Sequence, residues 1–494
     1  MATKNPTKTQ TAKKVSNQKP AKGVKKAAKK KTGTTGAKKT AAVSAKGLRV
    51  RMYRIGFGDF FLFTVPTDSG PQHILIDCGV FKGDLKTINA CVQNLATETN
   101  RKLALVIATH YHADHISGFA SNFDEFAKFE VGAVWLPNRL DPKLKDAMKL
   151  KAQINAVASQ LQLRLGARQD EAGIQALNKV EDALGVGEGS NDKALRLLTE
   201  GFKNKPPVFY YEAGNKPDLP ESLQGAITAE LLGPAPLSVA SEFSTPDNDA
   251  QQYLSAVAEA GLPPSGVLNP FEKKWPAVAA DYPPKAFQGY RTREQIENGE
   301  TAKPAELERI LQEVQPDILL AIADKIDGTL NNQSLVILFT CKGRKLLFVG
   351  DAQWGNWSYW LYGKKTTGET IPSITEKARD ILGAIDFYKV GHHGSTNANP
   401  IPAVAAINVD CVSMCSTESG DPDRSRPHGH IENQSEVPRI KLMEEMEKRT
   451  NNRLVRSDWI GVPNFDASPE ARGQLAKLPP HFSTGDLYID YVFP

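Results

Sequence analysis

His110 to His115 read His-Tyr-His-Ala-Asp-His, so three of the nine histidines in the chain and a carboxylate fall within six positions. Imidazole and carboxylate without a thiolate form a donor set for zinc, iron or manganese in a catalytic role. His110 and His112 alternate and can point at one ion, while Asp114 and His115 continue round the turn toward a second. The competing reading is a surface loop rich in histidine. Three of only nine histidines in so short a stretch argue against that reading.

The segments around this loop are of the kind that would hold it at a sheet edge. Leu103–Ala108 is a short apolar run with the pattern of a buried parallel strand, and Gly118 with Phe119–Phe129 reads as a turn into a helix. Strand, polar loop and helix in that order place chemistry at the carboxyl edge of an α/β sheet. Other apolar runs also end in polar clusters. His73–Ile76 leads to Asp77-Cys78-Gly79, Lys345–Val349 to Gly350-Asp351, Phe387–Val390 to Gly391-His392-His393-Gly394-Ser395, and Cys411–Ser416 to a segment holding His428 and His430. A sheet would bring these ends together. Leu48–Val65 alternates as one or two strands, Val131–Pro137 reads as another, and Asp486–Phe493 is expected to close the sheet as an edge strand.

Several of these segments resemble the metallo-β-lactamase superfamily, closest to its ComEC-type branch without the membrane part. The resemblance rests on the HxHxDH loop at His110–His115, the GxGD turn Gly56–Asp59, and the Asp-x-Gly at Asp77, where Cys78 replaces the family's small residue. It rests also on Asn331–Phe339 against NxxSLVL, and on the Gly-Asp at 350–351. Gly429-His430 matches only part of the family's GHP, since the next proline is Pro438. The resemblance implies an α/β fold, an αββα sandwich, to which helical periodicity adds a large, mostly helical insertion and composition adds a disordered basic N-terminal tail. It also implies two divalent cations, zinc with Mn2+ or Fe2+ as alternatives.

Many relatives supply a histidine between the loop and the bridging aspartate, but this chain has none between His115 and His392. One ion is therefore assigned His110, His112, His392 and Asp351, and the other Asp114, His115, His430 and Asp351. The two oxygens of Asp351 would bridge the ions. His393 is the alternative ligand to His392, and otherwise a catalytic proton donor or substrate contact beside Asp114. His428 is placed outside the ligand set. Asp77 is expected to support the loop by hydrogen bonding without touching metal, and Ser395 and Asn332 to contact a phosphoryl oxygen. Cys78 is either a buried apolar residue or a redox-sensitive neighbour of the site.

Residues 1–47 form the expected disordered tail, with fourteen lysines and no acidic residue up to position 46. Without those lysines the body holds 47 basic residues against 56 acidic ones, a net charge of about −9. The tail suits electrostatic binding of nucleic acid or another polyanion, or else serves as a solubilising linker or localisation signal. The remaining divisions are a first half of the fold over 48–137, an insertion over 138–315 and a second half over 316–494. Within the insertion, 141–202 has helical periodicity broken near 185–190, Ala226–Leu232 looks like a return to a core strand, Pro263–Tyr290 is an irregular lid or docking segment, and Pro304–Glu313 is helix-like.

Five scattered cysteines, with Cys411 and Cys415 not in a CxxC spacing, suggest a reducing compartment. With no apolar secretory segment and no run of ~20 apolar residues, the chain is expected to be cytoplasmic and to avoid membranes. Its oligomeric state is not legible. The leading expectation is a dinuclear-metal phosphodiesterase or nuclease, a hydrolase acting through a metal-bridging hydroxide. The alternatives are hydrolysis of a small ester, thioester or cyclic nucleotide, or a polyanion-binding protein on a scaffold-only hydrolase body.

Overall fold

Period-two alternation in the N-terminal segment produces a hairpin, in which β1 (Arg49–Tyr53) pairs antiparallel with β2 (Phe60–Thr67). The computed structural model describes residues 47–81, 85–165, 171–184, 191–240, 323, 326–363, 373–395, 397–418, 437–459 and 478–494. The lysine-rich tail over 1–46, both expected segments at Pro263–Tyr290 and Pro304–Glu313, and His428 and His430 lie outside them. After β2 the chain runs through β3 (Gly70–Cys78), α1 (Leu85–Glu98), β4 (Lys102–Ile107), α2 (Ala113–Ser121), α3 (Phe123–Phe126) and β5 (Glu130–Pro137). Three helices follow, α4 (Lys145–Leu165), α5 (Glu171–Leu184) and α6 (Asn191–Arg196), before β6 (Val208–Tyr211) and β7 (Ile227–Gly233). A helical turn over 326–330 leads to β8 (Val336–Cys341), β9 (Arg344–Phe348), α7 (Trp354–Tyr362) and α8 (Glu376–Gly383). The chain continues through β10 (Phe387–Lys389), α9 (Ile401–Ala406), β11 (Val412–Cys415), α10 (Ile440–Arg449), β12 (Leu454–Arg456), β13 (Phe482–Thr484) and β14 (Tyr488–Val492).

Among the described residues the strands form two mixed sheets, ordered β13-β14-β1-β2-β3-β4-β5-β6 and β12-β11-β10-β9-β8-β7. Alternate side chains of both sheets enter one apolar core. Phe61, Phe63, Ile107 and Trp135 come from the first sheet, and Ile337, Phe339, Phe348 and Met414 from the second. Phe63 lies 6.2 Å from Phe348 and Trp135 6.4 Å from Phe339 between ring centroids. Sheet faces of this kind meet about 10 Å apart with interdigitated side chains. The opposite faces are covered by helices: Leu62, Leu75 and Val106 by Ile88 and Val92 of α1 and Phe119 of α2, and Leu338, Leu347 and Tyr388 by Trp357 of α7, Leu382 of α8 and Met446 of α10. The result is a mixed α/β architecture.

Three expectations shift at this level. Residues 138–315 are not one insertion, because β6 pairs parallel with β5 and β7 pairs antiparallel with β8, each inside a sheet. What projects from the sheets is α4, α5 and the turn over 326–330, with a small core of Ile154, Ala158, Leu161, Val180, Ile326 and Leu330. β14 is not an edge strand, since β13 pairs along its outer side. Arg51 ties it to β1 through a buried two-pronged ion pair to Asp490 at 2.7 and 2.8 Å. The third shift is the start of α2, which begins at Ala113 and so takes Asp114 and His115 into its first turn. Among the described residues no helix is long and apolar enough to cross a membrane.

Candidate metal centre

The carboxyl ends of β3, β4, β9 and β10 deliver their polar residues to one buried point. His110, His112, Asp114, His115, Asp351 and His393 are all 0–2% exposed. Ligand-type atoms of Asp114, His115, Asp351 and His393 lie within 4.8 Å of one another, and so do those of His110, His112 and Asp114. Asp59 and Asp77 form a third such group with His115.

Asp77 organises the loop. Its carboxylate accepts from Thr109 N at 2.7 Å and Thr109 Oγ1 at 2.7 Å, and its Oδ2 meets His115 Nδ1 at 2.8 Å. Thr109 Oγ1 spends its proton on Asp77, so it accepts from His110 Nδ1 at 3.2 Å. That relay leaves His110 Nε2 as a lone pair, 3.1 Å from His112 Nδ1. Glycine makes the approach possible, since a Cβ on Gly79 would stand 2.5 Å from the Ala113 carbonyl oxygen. His393 Nδ1 donates to the Ser416 carbonyl at 2.8 Å, which turns Nε2 inward, where it donates to Asp114 Oδ2 at 2.9 Å and lies 3.4 Å from Asp351 Oδ2. A carboxylate or carbonyl on one imidazole nitrogen is the arrangement that orients the other toward a metal. His392 and His393 have φ of +48° and +51°, left-handed backbone that costs such residues about 1 kcal/mol or more and clusters at functional sites.

The electrostatics separate two kinds of imidazole. Burial and the adjacent imidazoles hold His110 well below the ordinary histidine range, and burial lowers His112, so both are neutral donors. His115 goes the other way: burial opposes its charge, but Asp351, Asp114, Asp77 and Asp59 outweigh it and push it well above the ordinary range. The pocket therefore draws positive charge. Four of its atoms, His112 Nε2, Asp114 Oδ1, His115 Nε2 and Asp351 Oδ2, are buried without a hydrogen-bond partner. A buried polar atom left without a hydrogen bond costs about 1–3 kcal/mol; His115 Nε2 and Asp351 Oδ2 stand 3.0 Å apart as an ion pair, and a cation could be held by those two atoms and Asp114 Oδ1 together. The residues present could hold metal ions.

Several placements differ from expectation. His393, rather than His392, stands in the ligand group, because the left-handed turn and the Ser416 carbonyl aim its ring inward. His392 is partly exposed, with Nδ1 on Asn397 Oδ1 at 3.1 Å and Nε2 3.8 Å from Asp351 Oδ2. Asp351 does not offer both oxygens: Oδ1 accepts from Lys389 Nζ at 3.2 Å and His392 N at 3.2 Å. Asp114 is the carboxylate common to both ligand groups. Asn332 is occupied as a structural clamp, donating to the Gly328 carbonyl at 2.8 Å and accepting from Asn356 N at 2.8 Å. Ser395 is buried. Cys78 is fully buried beside Gly118, and burial raises its thiol well above the ordinary range, so it packs as an apolar group.

Three residues of the pocket were not singled out from sequence. Lys389 is buried and ion-paired with Asp59 and Asp351; burial opposes its charge, but those carboxylates outweigh it and keep the ammonium above the ordinary lysine range. A lysine closing the apolar strand Phe387–Lys389 was the available signal for it, as the GxGD turn was for Asp59. Asp182 on α5 gave no signal at all, being one acid on an amphipathic helix. Comparison of the chain with protein-family models and with curated proteins finds no match to either.

Proposed function

We propose that this chain is a metal-dependent hydrolase of the metallo-β-lactamase type, an αββα sandwich with a helical insertion, holding two divalent cations and cleaving phosphodiesters. The observation that carries this reading is the convergence of His110, His112, Asp114, His115, Asp351 and His393, with four buried atoms lacking hydrogen-bond partners among them. Two bound cations would supply an acidified water and neutralise charge developing on a phosphoryl oxygen. The protein's own groups do the rest. Asp77 and the Ser416 carbonyl fix the tautomers of His115 and His393, and Lys389 holds Asp351 Oδ1 so that Oδ2 faces the centre. His392 is the proton carrier to the leaving group: Asn397 takes its Nδ1, leaving Nε2 beside Asp351 at the exposed side of the pocket. The fourteen lysines of the tail favour a polyanionic substrate such as nucleic acid.

The test is metal analysis of purified protein followed by assay on bis-p-nitrophenyl phosphate and on single- and double-stranded DNA and RNA. Wild type should carry about two metals per chain and hydrolyse the small ester, while Asp114→Ala should lose both properties. Deleting residues 1–46 should spare the small ester and weaken action on nucleic acid. Wild type that binds no divalent metal with any affinity would sink the proposal.

A further inference from the structure

The His110–His112 position has one histidine fewer than a three-imidazole site needs, and the helical insertion comes within reach of it. Asn191 donates from one amide nitrogen to the carbonyls of Tyr111 at 2.7 Å, Asp182 at 3.1 Å and Ala183 at 3.2 Å, which fastens the C-terminal end of α5 to the metal loop. Tyr111 reinforces the junction by donating its hydroxyl to Asp192 at 2.9 Å. Asp182 is thereby held with Oδ1 accepting from Asp114 N at 3.1 Å and Oδ2 3.6 Å from His112 Nδ1. The second distance is too long for a hydrogen bond. It does match the edge of a tetrahedral site, about 3.4 Å for metal–ligand bonds of about 2.0–2.1 Å. The neighbouring edge, His110 Nε2 to His112 Nδ1, is 3.1 Å.

We propose that Asp182 joins the His110, His112 and Asp114 group as a further protein ligand, a carboxylate supplied by the insertion where this chain has no histidine. The inference rests on the metal-centre reading above and adds to it a role for the insertion, which completes the centre as well as covering it. It has a chemical consequence. Exchanging an imidazole for a carboxylate moves the site toward harder cations, so manganese should compete with zinc there better than at a three-histidine site.

The experiment measures metal stoichiometry and affinity on the full chain, for zinc and manganese separately, in wild type and in Asp182→Ala, Asp182→Asn and Asp182→His. Loss of a ligand should weaken one of the two sites by more than about 100-fold, beyond the 10–100-fold typical of groups that only orient ligands. Asp182→Ala should then purify with one metal. Asp182→Asn, which keeps the acceptor for Asp114 N, should behave the same way, which separates ligation from scaffolding if Asp182→Ala fails to fold. Asp182→His should restore two zinc ions and lower the manganese affinity relative to zinc. The cobalt(II) absorption spectrum should change in the Asn variant and recover intensity in the His variant. Two metals retained within tenfold of wild-type affinity in both the Ala and Asn variants would overturn the assignment while leaving the metal centre standing. A wild type without metal would overturn the centre and this ligand with it.

Discussion

Replacing Lys389 by methionine removes an ammonium packed among the pocket's carboxylates and leaves the shape of the side chain nearly unchanged. Lys389 is 2% exposed, donates to the Gly350 carbonyl at 2.9 Å, and sits against Asp59 and against Asp351 Oδ1 at 3.2 Å. Coulomb's law at an effective dielectric of about 20 gives roughly 5 kcal/mol for a unit pair at that separation. Breaking a buried pair by deleting one partner costs about 3–5 kcal/mol, because the other charge is left without compensation. Lys389→Met should therefore lose about 4 kcal/mol, a large share of the 5–15 kcal/mol of a whole domain. Urea unfolding in the presence of a chelator isolates this term from metal binding. Asp59→Asn added to Lys389→Met should recover at least half of the loss, since removing both members of a buried pair is close to neutral. Saturating zinc should also stabilise Lys389→Met more than it stabilises wild type, because a cation then replaces the missing one. A methionine variant within about 1 kcal/mol of wild type, or one that Asp59→Asn fails to rescue, would refute the role given to this lysine.

Gly79→Ala would drive its Cβ to 2.5 Å from the Ala113 carbonyl oxygen and the Asp114 carbonyl carbon, so it should cost about 2 kcal/mol or more and weaken metal binding, measured by unfolding and by metal titration. His73 is held down to about 4 by burial first and by Arg49 second. The unfolded chain therefore takes up a proton near pH 6.5 that the folded one refuses, and stability should fall by up to about 3 kcal/mol between pH 6.5 and 4. His73→Gln should flatten that part of the profile, read by urea midpoints across pH; an unchanged profile would remove His73 as the cause. His392→Gln should lower kcat on bis-p-nitrophenyl phosphate by about 10²-fold or more while both metals stay bound, whereas His393→Ala should lose metal. Equal metal loss in both would contradict the division of labour between the two histidines.

How much of this was legible in the sequence depended on whether a residue's role was local. The alternation of Phe61, Phe63 and Val65 against Phe60 and Leu62 is written in consecutive positions, and it became the two faces of β2. The clusters after the apolar runs were legible for the same reason, since strand and loop are adjacent in sequence. The choice between His392 and His393 was not local. It was set by the Ser416 carbonyl, 23 positions later, and by a backbone turn that nothing in Gly-His-His-Gly specifies in isolation. The use of Asp351 Oδ1 was likewise decided by Lys389, 38 positions away. β6 was missed because Val208–Tyr211, just after the helical stretch 141–202, is four residues long, too short for a period to register.

Asp182 carries this reasoning to its limit. Its neighbours in sequence give it a place on the face of an amphipathic helix and nothing more, yet it reaches the loop at Asp114 across 68 positions. The three carbonyls gathered by Asn191 account for that reach, because they seat the end of α5 on Tyr111 whatever else α5 does. An insertion pinned by its last turn to the residue between His110 and His112 can alter ligand number and cation preference without altering the loop itself. Variation in such a helix would therefore retune the centre while the HxHxDH stretch stays the same. That is why the ligands drawn from the insertion have to be sought in the folded chain, by hydrogen bonds that span the sequence, and not in the motif.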